Sequence, residues 1–114
     1  MLQALKAARD AGVTIVAGTD TNNPFVFPGF SIHHELELMV EAGFTPMEAL
    51  VAATRRAAEM MNDQTIFGTI EPGKRADLLL LAANPLDDIR NTRTLELVIL
   101  DGAVTDRSSL LPRE

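Results

Sequence analysis

Leu2, Leu5 and Ala8 recur at helical spacing and Gly12 follows, so the chain opens on a short predicted helix over residues 2–11. The spacing then changes: Thr14, Ile15, Val16 and Ala17 form a continuous run that reads as a strand buried on both faces, the pattern of a parallel sheet flanked by helices. After a polar loop at residues 21–30, Ile32, Leu36, Met39 and Val40 fall at i, i+4, i+7 and i+8, giving a second helix that ends before Gly43. Thr45-Pro46-Met47-Glu48 is a start signal, with threonine as N-cap, proline in the first turn and glutamate placed to complete a capping box. A third helix is expected from there to about Met61, with Leu50, Ala53, Ala57 and Met60 or Met61 on its inner face.

From Gly68 the texture becomes β-rich. Pro72-Gly73 marks a tight turn, Ala76 to Ala82 a buried strand that Asn84-Pro85 ends, and Asp101-Gly102 a hairpin inside "LELVILDGAV". The tail from Arg107 is expected to fray. Only one strand of the first half is of the buried parallel kind, and one strand cannot form a sheet. The first half therefore reads as the end of a larger α/β array whose earlier units lie elsewhere.

Composition narrows the function. Of 114 residues, 46% are hydrophobic and 23% charged, the balance of a globular protein. A net charge of −6 and aromatics at 4% argue against nucleic acid as a partner, because phosphate contacts need clustered Lys and Arg and base stacking needs aromatic platforms. The absence of cysteine removes disulfides and thiolate metal sites and suits a reducing compartment, which makes cytoplasm the expected location. The opening "MLQALKAARD" mixes charge into a helical pattern, so neither a signal peptide nor a membrane span is expected there.

The candidate chemistry begins with Asp20, which follows the apolar run at the C-terminal lip where α/β enzymes place their working groups. It is either such a group or a turn aspartate bonded to its own loop, with Thr19 and Thr21 available to orient it and Asn22 and Asn23 read as turn formers. His33 and His34 are the only histidines; adjacent helical positions point about 100° apart, so the two do not chelate one ion, but one can face a pocket. His34-Glu35 begins like the zinc-protease H-E-x-x-H pattern, yet position 38 is Leu38 and the pattern fails.

"GTIEPGKR" (Gly68 to Arg75) mimics a phosphate-binding loop, but Arg75 stands where a magnesium-binding hydroxyl is required, Glu71 repels a phosphate and a strand follows. Lys74 and Arg75 are read as a solvated turn, Asp77 as bonded to nearby amides, and Glu35, Glu37 and Glu41 as an exposed helix face. No serine, cysteine or lysine nucleophile with a nearby base is apparent.

Taken together, "AGVTIVAGTD", "ELELMVEAGFTPMEALVAATRRAAEM", "GTIEPGKRADLLLLAANPLDDI" and "LVILDGAV" resemble, in that order and over roughly residues 8–105, the C-terminal end of a metal-dependent amidohydrolase of the imidazolonepropionase and prolidase-like sort. The resemblance implies an α/β fold class. Residues 1–67 would be the last strand and helices of a (β/α)8 TIM-like barrel, and residues 68–114 the returning strands of a small β-sandwich. Val13 to Ala17 would be the eighth barrel strand, and Asp20 the aspartate that binds a divalent metal, zinc by expectation, and takes a proton from the attacking water. "PGKRADLLLL" would be a structural signature.

The family's paired histidines, its bridging lysine or glutamate and its later histidines would all lie upstream. By itself the chain is therefore expected to be inactive and not to retain the metal. The partners implied are a small-molecule substrate with a C–N bond and another copy of the chain in a homo-oligomer, with no membrane. The alternative is a non-catalytic truncated chain, or an interaction module docking on a separate barrel half along Ile15, Val16 and the third helix.

Overall fold

The computed structural model describes residues 2–21 and 23–106; the readings of Asn22 as a turn former and of the tail from Arg107 lie outside the described residues. Helix α1 spans Leu2–Asp10, and its end is closed by Val13 N–H on the Ala8 carbonyl (3.0 Å) and Gly12 N–H on that of Arg9 (2.9 Å). Helix α2, Ser31–Glu41, ends the same way, with Phe44 N–H on Met39 and Gly43 N–H on Val40. Its predicted stripe holds: Leu36 and Met39 are buried, Ile32 and Val40 half-buried.

Helix α3, Pro46–Ala53, starts on the expected capping box, Glu48 N–H donating to Thr45 Oγ1 (3.2 Å) and Thr45 N–H to Glu48 Oε2 (2.7 Å). The predicted single third helix is corrected: it breaks at Thr54 (φ −123°, ψ −87°), and α4 runs separately over Arg55–Met61. The Thr54 hydroxyl donates to the Leu50 carbonyl (2.7 Å), the acceptor a helical Thr54 N–H needs, and that N–H turns to Val51 instead (3.4 Å). The break re-aims the inner face. Ala49, Ala52 and Ala58 are the buried positions, Leu50, Ala53 and Ala57 are half-buried, and Met60 and Met61 are exposed.

A second correction concerns the strand expected at Thr14–Ala17. The segment is extended but has no strand neighbour among the described residues, and its amide contact is Ala17 N–H on the Ala52 carbonyl of α3 (3.2 Å). Val13 and Thr14 are exposed and Ile15 to Ala17 only half-buried, because burial on two faces requires flanking strands and helices that these residues do not supply.

The second half is a three-stranded antiparallel sheet in the order β1 (Leu78–Leu81), β2 (Leu95–Leu100), β3 (Ala103–Thr105), with a register shift between Leu80 and Leu81. Asp101 and Gly102 make the predicted hairpin with φ of 49° and 78°, the left-handed pair that matches strand twist. Asp77 holds that turn, its Oδ1 accepting from Asp101 N–H (2.9 Å), as the sequence suggested. Lys74 departs from the expected solvated turn: it is half-buried and pairs with Glu71 (3.1 Å), while Arg75 pairs with Asp77 and covers the Phe67 ring at 5.2 Å. Both halves share one core, in which Leu36, Met39, Ala42, Phe44, Ala49 and Ala52 pack with Ile89 of a 3-10 turn at Ile89–Arg93.

Candidate functional site

Asp20 ends the extended segment in the left-handed region (φ 49°), a conformation that aspartate tolerates better than most residues. Its Oδ2 accepts from Asn23 Nδ2 (2.5 Å) and its carbonyl from Asn23 N–H (3.1 Å), so Asn23, and not Thr19 or Thr21, is the recorded partner that orients it. The carboxylate is exposed, and Oδ1 is left open among the described residues.

One step back along the chain, Gly18 and Thr19 line a cleft of about 540 Å³. Leu2 and Leu5 of α1, Ser31, His34, Glu35 and Leu38 of α2, and Phe25 and Val26 of the loop between them line it as well. The cleft thus joins an apolar bed to a few polar groups, the usual make-up of a small-molecule site.

The two histidines part company. His34 is exposed and lines the cleft. His33 is half-buried on the other side of α2, with Nδ1 3.0 Å from Thr92 Oγ1. Because the Thr92 hydroxyl donates to the Ile89 carbonyl (2.9 Å), it receives from the imidazole, which assigns the proton of His33 to Nδ1. Burial, and then the nearby Arg93 guanidinium, hold the His33 pKa below its ordinary value, against a smaller opposing pull from Glu37.

Glu35 and Glu37, read from sequence as an exposed face, both have partners. Glu37 pairs with Arg93 (2.6 Å), whose guanidinium lies 4.9 Å from the centre of the Phe30 ring. Glu35 is half-buried and its Oε1 accepts from Gly18 N–H at 2.6 Å. The signal that finds it is positional: Ser31, Glu35 and Leu38 lie at i, i+4 and i+7, a stripe beside the buried one. Phe25, with φ 69°, gave no sign in the sequence.

Among the described residues no group of three His, Asp or Glu side chains is placed to hold a metal ion. Asp20 is a single exposed carboxylate, short of the roughly three protein ligands that a catalytic metal site needs.

The amidohydrolase family profile matches residues 1–105. The chain belongs to the amidohydrolase family. Within that family it is 42% identical over 91 residues to ochratoxinase from Aspergillus niger, a match covering 78% of this chain and 18% of the relative. Imidazolonepropionase from Geobacillus kaustophilus is 40% identical over 83 residues, covering 70% of this chain and 19% of the relative. The crystal structure of a Xaa-Pro dipeptidase with methionine in its active site superposes with a TM-score of 0.84 at 32% identity, over 92% of this chain and 25% of that one. This amidohydrolase chain thus spans about a fifth of the curated relatives it matches, at 18% and 19% of their lengths. None of its helices, among the described residues, is long and apolar enough to cross a membrane.

Proposed function

We propose that the chain is the C-terminal portion of a metal-dependent hydrolase that cleaves a C–N bond, amide or cyclic amide, in a small-molecule substrate. Asp20 is its contribution to the reacting centre. The observation that carries this reading is Asp20 itself, held in a left-handed turn at the end of an extended segment, beside a cleft with apolar walls, in a chain of this family. Relatives that include an imidazolonepropionase and a Xaa-Pro dipeptidase support C–N bond chemistry as the reaction class. In this proposal residues 1–67 complete a TIM-like barrel and the strands after residue 68 belong to a small sandwich.

Asp20 would be this chain's one carboxylate toward a divalent metal, zinc by expectation, which when bound would supply acidification of a water. The remaining steps fall to residues of this chain. Asp20 Oδ1, open where Oδ2 is taken by Asn23, accepts a proton from the attacking water, the role of a general base. His34, facing the cleft from α2, contacts the substrate, and the apolar floor from α1 and Ile15 excludes water around it. His33, engaged by Thr92, is a positioning group for α2 and not a ligand.

Co-expression with the remaining barrel portion of a related amidohydrolase tests this. A complex that hydrolyses an amide substrate, loses activity to a chelator and regains it with zinc is the expected result. A well-formed complex with no zinc-dependent hydrolysis of any amide or cyclic amide would leave the chain as a non-catalytic interaction module, the alternative that the unpartnered segment around Ile15 and Val16 favours.

A further inference from the structure

Segment 13–19 has no strand neighbour among the described residues, so its direction is set by a few discrete ties. Val13 N–H is tied to α1 through Ala8, Ala17 N–H to α3 through Ala52, and Gly18 N–H to α2 through Glu35. Past Gly18 the backbone hydrogen bonds of the loop among the described residues are local: Asn23 to Asp20, Val26 to Asn23, Phe30 and Ser31 to Phe27. Among the described residues, Gly18 is therefore the last point at which a hydrogen bond ties the chain to another element before Asp20.

The anchor differs from the other two glutamates of its helix: Glu41 is exposed, and Glu37 is neutralised by Arg93. Glu35 makes no ion pair with any cation among the described residues, although it is half-buried at the wall of an apolar cleft; its recorded partner is the Gly18 amide. A carboxylate accepting from a backbone N–H at 2.6 Å makes a charge-assisted bond, stronger and more directional than a neutral one. Asp20 lies two residues beyond, so a small rotation at Gly18 or Thr19 swings its carboxylate by ångströms, the scale of misplacement that costs an enzyme about 10²-fold in rate.

We propose that Glu35 is a positioning residue: by holding the Gly18 amide it sets the direction of the Asp20 carboxylate. The inference rests on the role proposed for Asp20, and deepens it by naming what aims that group. It requires Glu35 to act through Asp20, which gives it a test that a merely structural role does not meet.

In the assembled hydrolase, Glu35→Leu should lower kcat by about 10²-fold with KM little changed, and Glu35→Gln, which keeps an acceptor oxygen, should recover most of that loss. In an Asp20→Asn background the same Glu35→Leu should cost little more, because its effect passes through a group already disabled. Deuterium exchange on the same complex supplies an arm independent of activity. Glu35→Leu should speed exchange at Gly18, and also at Asn23, whose N–H rests on the Asp20 carbonyl, by about tenfold or more.

Additive kinetic losses, or faster exchange at Gly18 with none at Asn23, would overturn the proposal. If Asp20→Asn alone leaves turnover unchanged, the hydrolytic role of Asp20 falls, while the exchange arm still decides whether Glu35 aims the loop.

Discussion

His33 and His34 show how one peptide step decides what a side chain can do. His34 looks into the cleft, whereas His33 donates to Thr92 in a half-buried seam between α2 and the Ile89–Arg93 turn. Burial first, and Arg93 second, favour the neutral imidazole of His33, so the folded chain binds a proton there less readily than the unfolded chain does. The stability this confers is complete above the ordinary value of 6.5 and is lost as pH falls through the lowered folded value. We expect the melting temperature to decline as pH drops below 6.5, and His33→Gln to flatten that decline. An equally steep decline in the variant would assign it to other groups. The carboxylates of Asp10, Glu48, Asp77 and Asp88, lowered chiefly by their hydrogen bonds, act in a separate and more acidic range. At the same scale the sequence disclosed that the two histidines diverge, from helical geometry alone. It did not disclose which of them the core would claim, because Thr92 is 59 residues away.

Elements with strong local chemistry formed where the sequence placed them. The α3 capping box and the Asp101-Gly102 hairpin depend on residues within a few positions of each other, and local bonds are legible in one dimension. Thr45→Ala should therefore cost about 1 kcal/mol, the usual loss of an N-cap, measured by chemical denaturation. No change would mean that tertiary contacts alone hold the start of α3. The break at Thr54 was missed because every residue around it suits a helix and a single hydroxyl reorganises the ladder. Its consequence reaches Gly68, where the chain returns against α4 with φ +98°, and where a Cβ would stand 2.6 Å from that of Ala58 and 3.2 Å from the Thr54 carbonyl. Gly68→Ala is expected to destabilise by roughly 1–3 kcal/mol through overpacking and backbone strain. A neutral effect would show that α4 can shift away freely.

At the scale of the whole molecule, apolar stretches that the sequence reads as covered stand partly open. The Thr14–Ala17 run has the composition of a doubly buried strand and remains half-exposed, and Leu79, Leu100 and Val104 are 60%, 53% and 63% exposed on the small sheet. Such unpaired edges and uncovered apolar faces associate, so the isolated chain should sediment as an oligomer or aggregate. A clean monomer with a cooperative melt would mark an autonomous module. The isolated chain should also hold no stoichiometric zinc after dialysis, since about three protein ligands are needed and no such group is placed to hold an ion among the described residues; one ion per chain by elemental analysis would contradict this. Asp20 stood out in the sequence as a candidate because it follows an apolar run, whereas the Glu35 bond to Gly18 joins two elements and only the place of Glu35 beside the buried stripe hinted at it. Measuring kcat and melting temperature together on Asp20→Asn, in the complex with the remaining barrel portion, separates the two roles open to Asp20. If Asp20 is the proton acceptor, kcat should fall by about 10²-fold or more while the melting temperature is unchanged, since the amide can keep the Asn23 contact. Near-normal kcat with a lowered melting temperature would instead make Asp20 a turn residue and remove it from the mechanism.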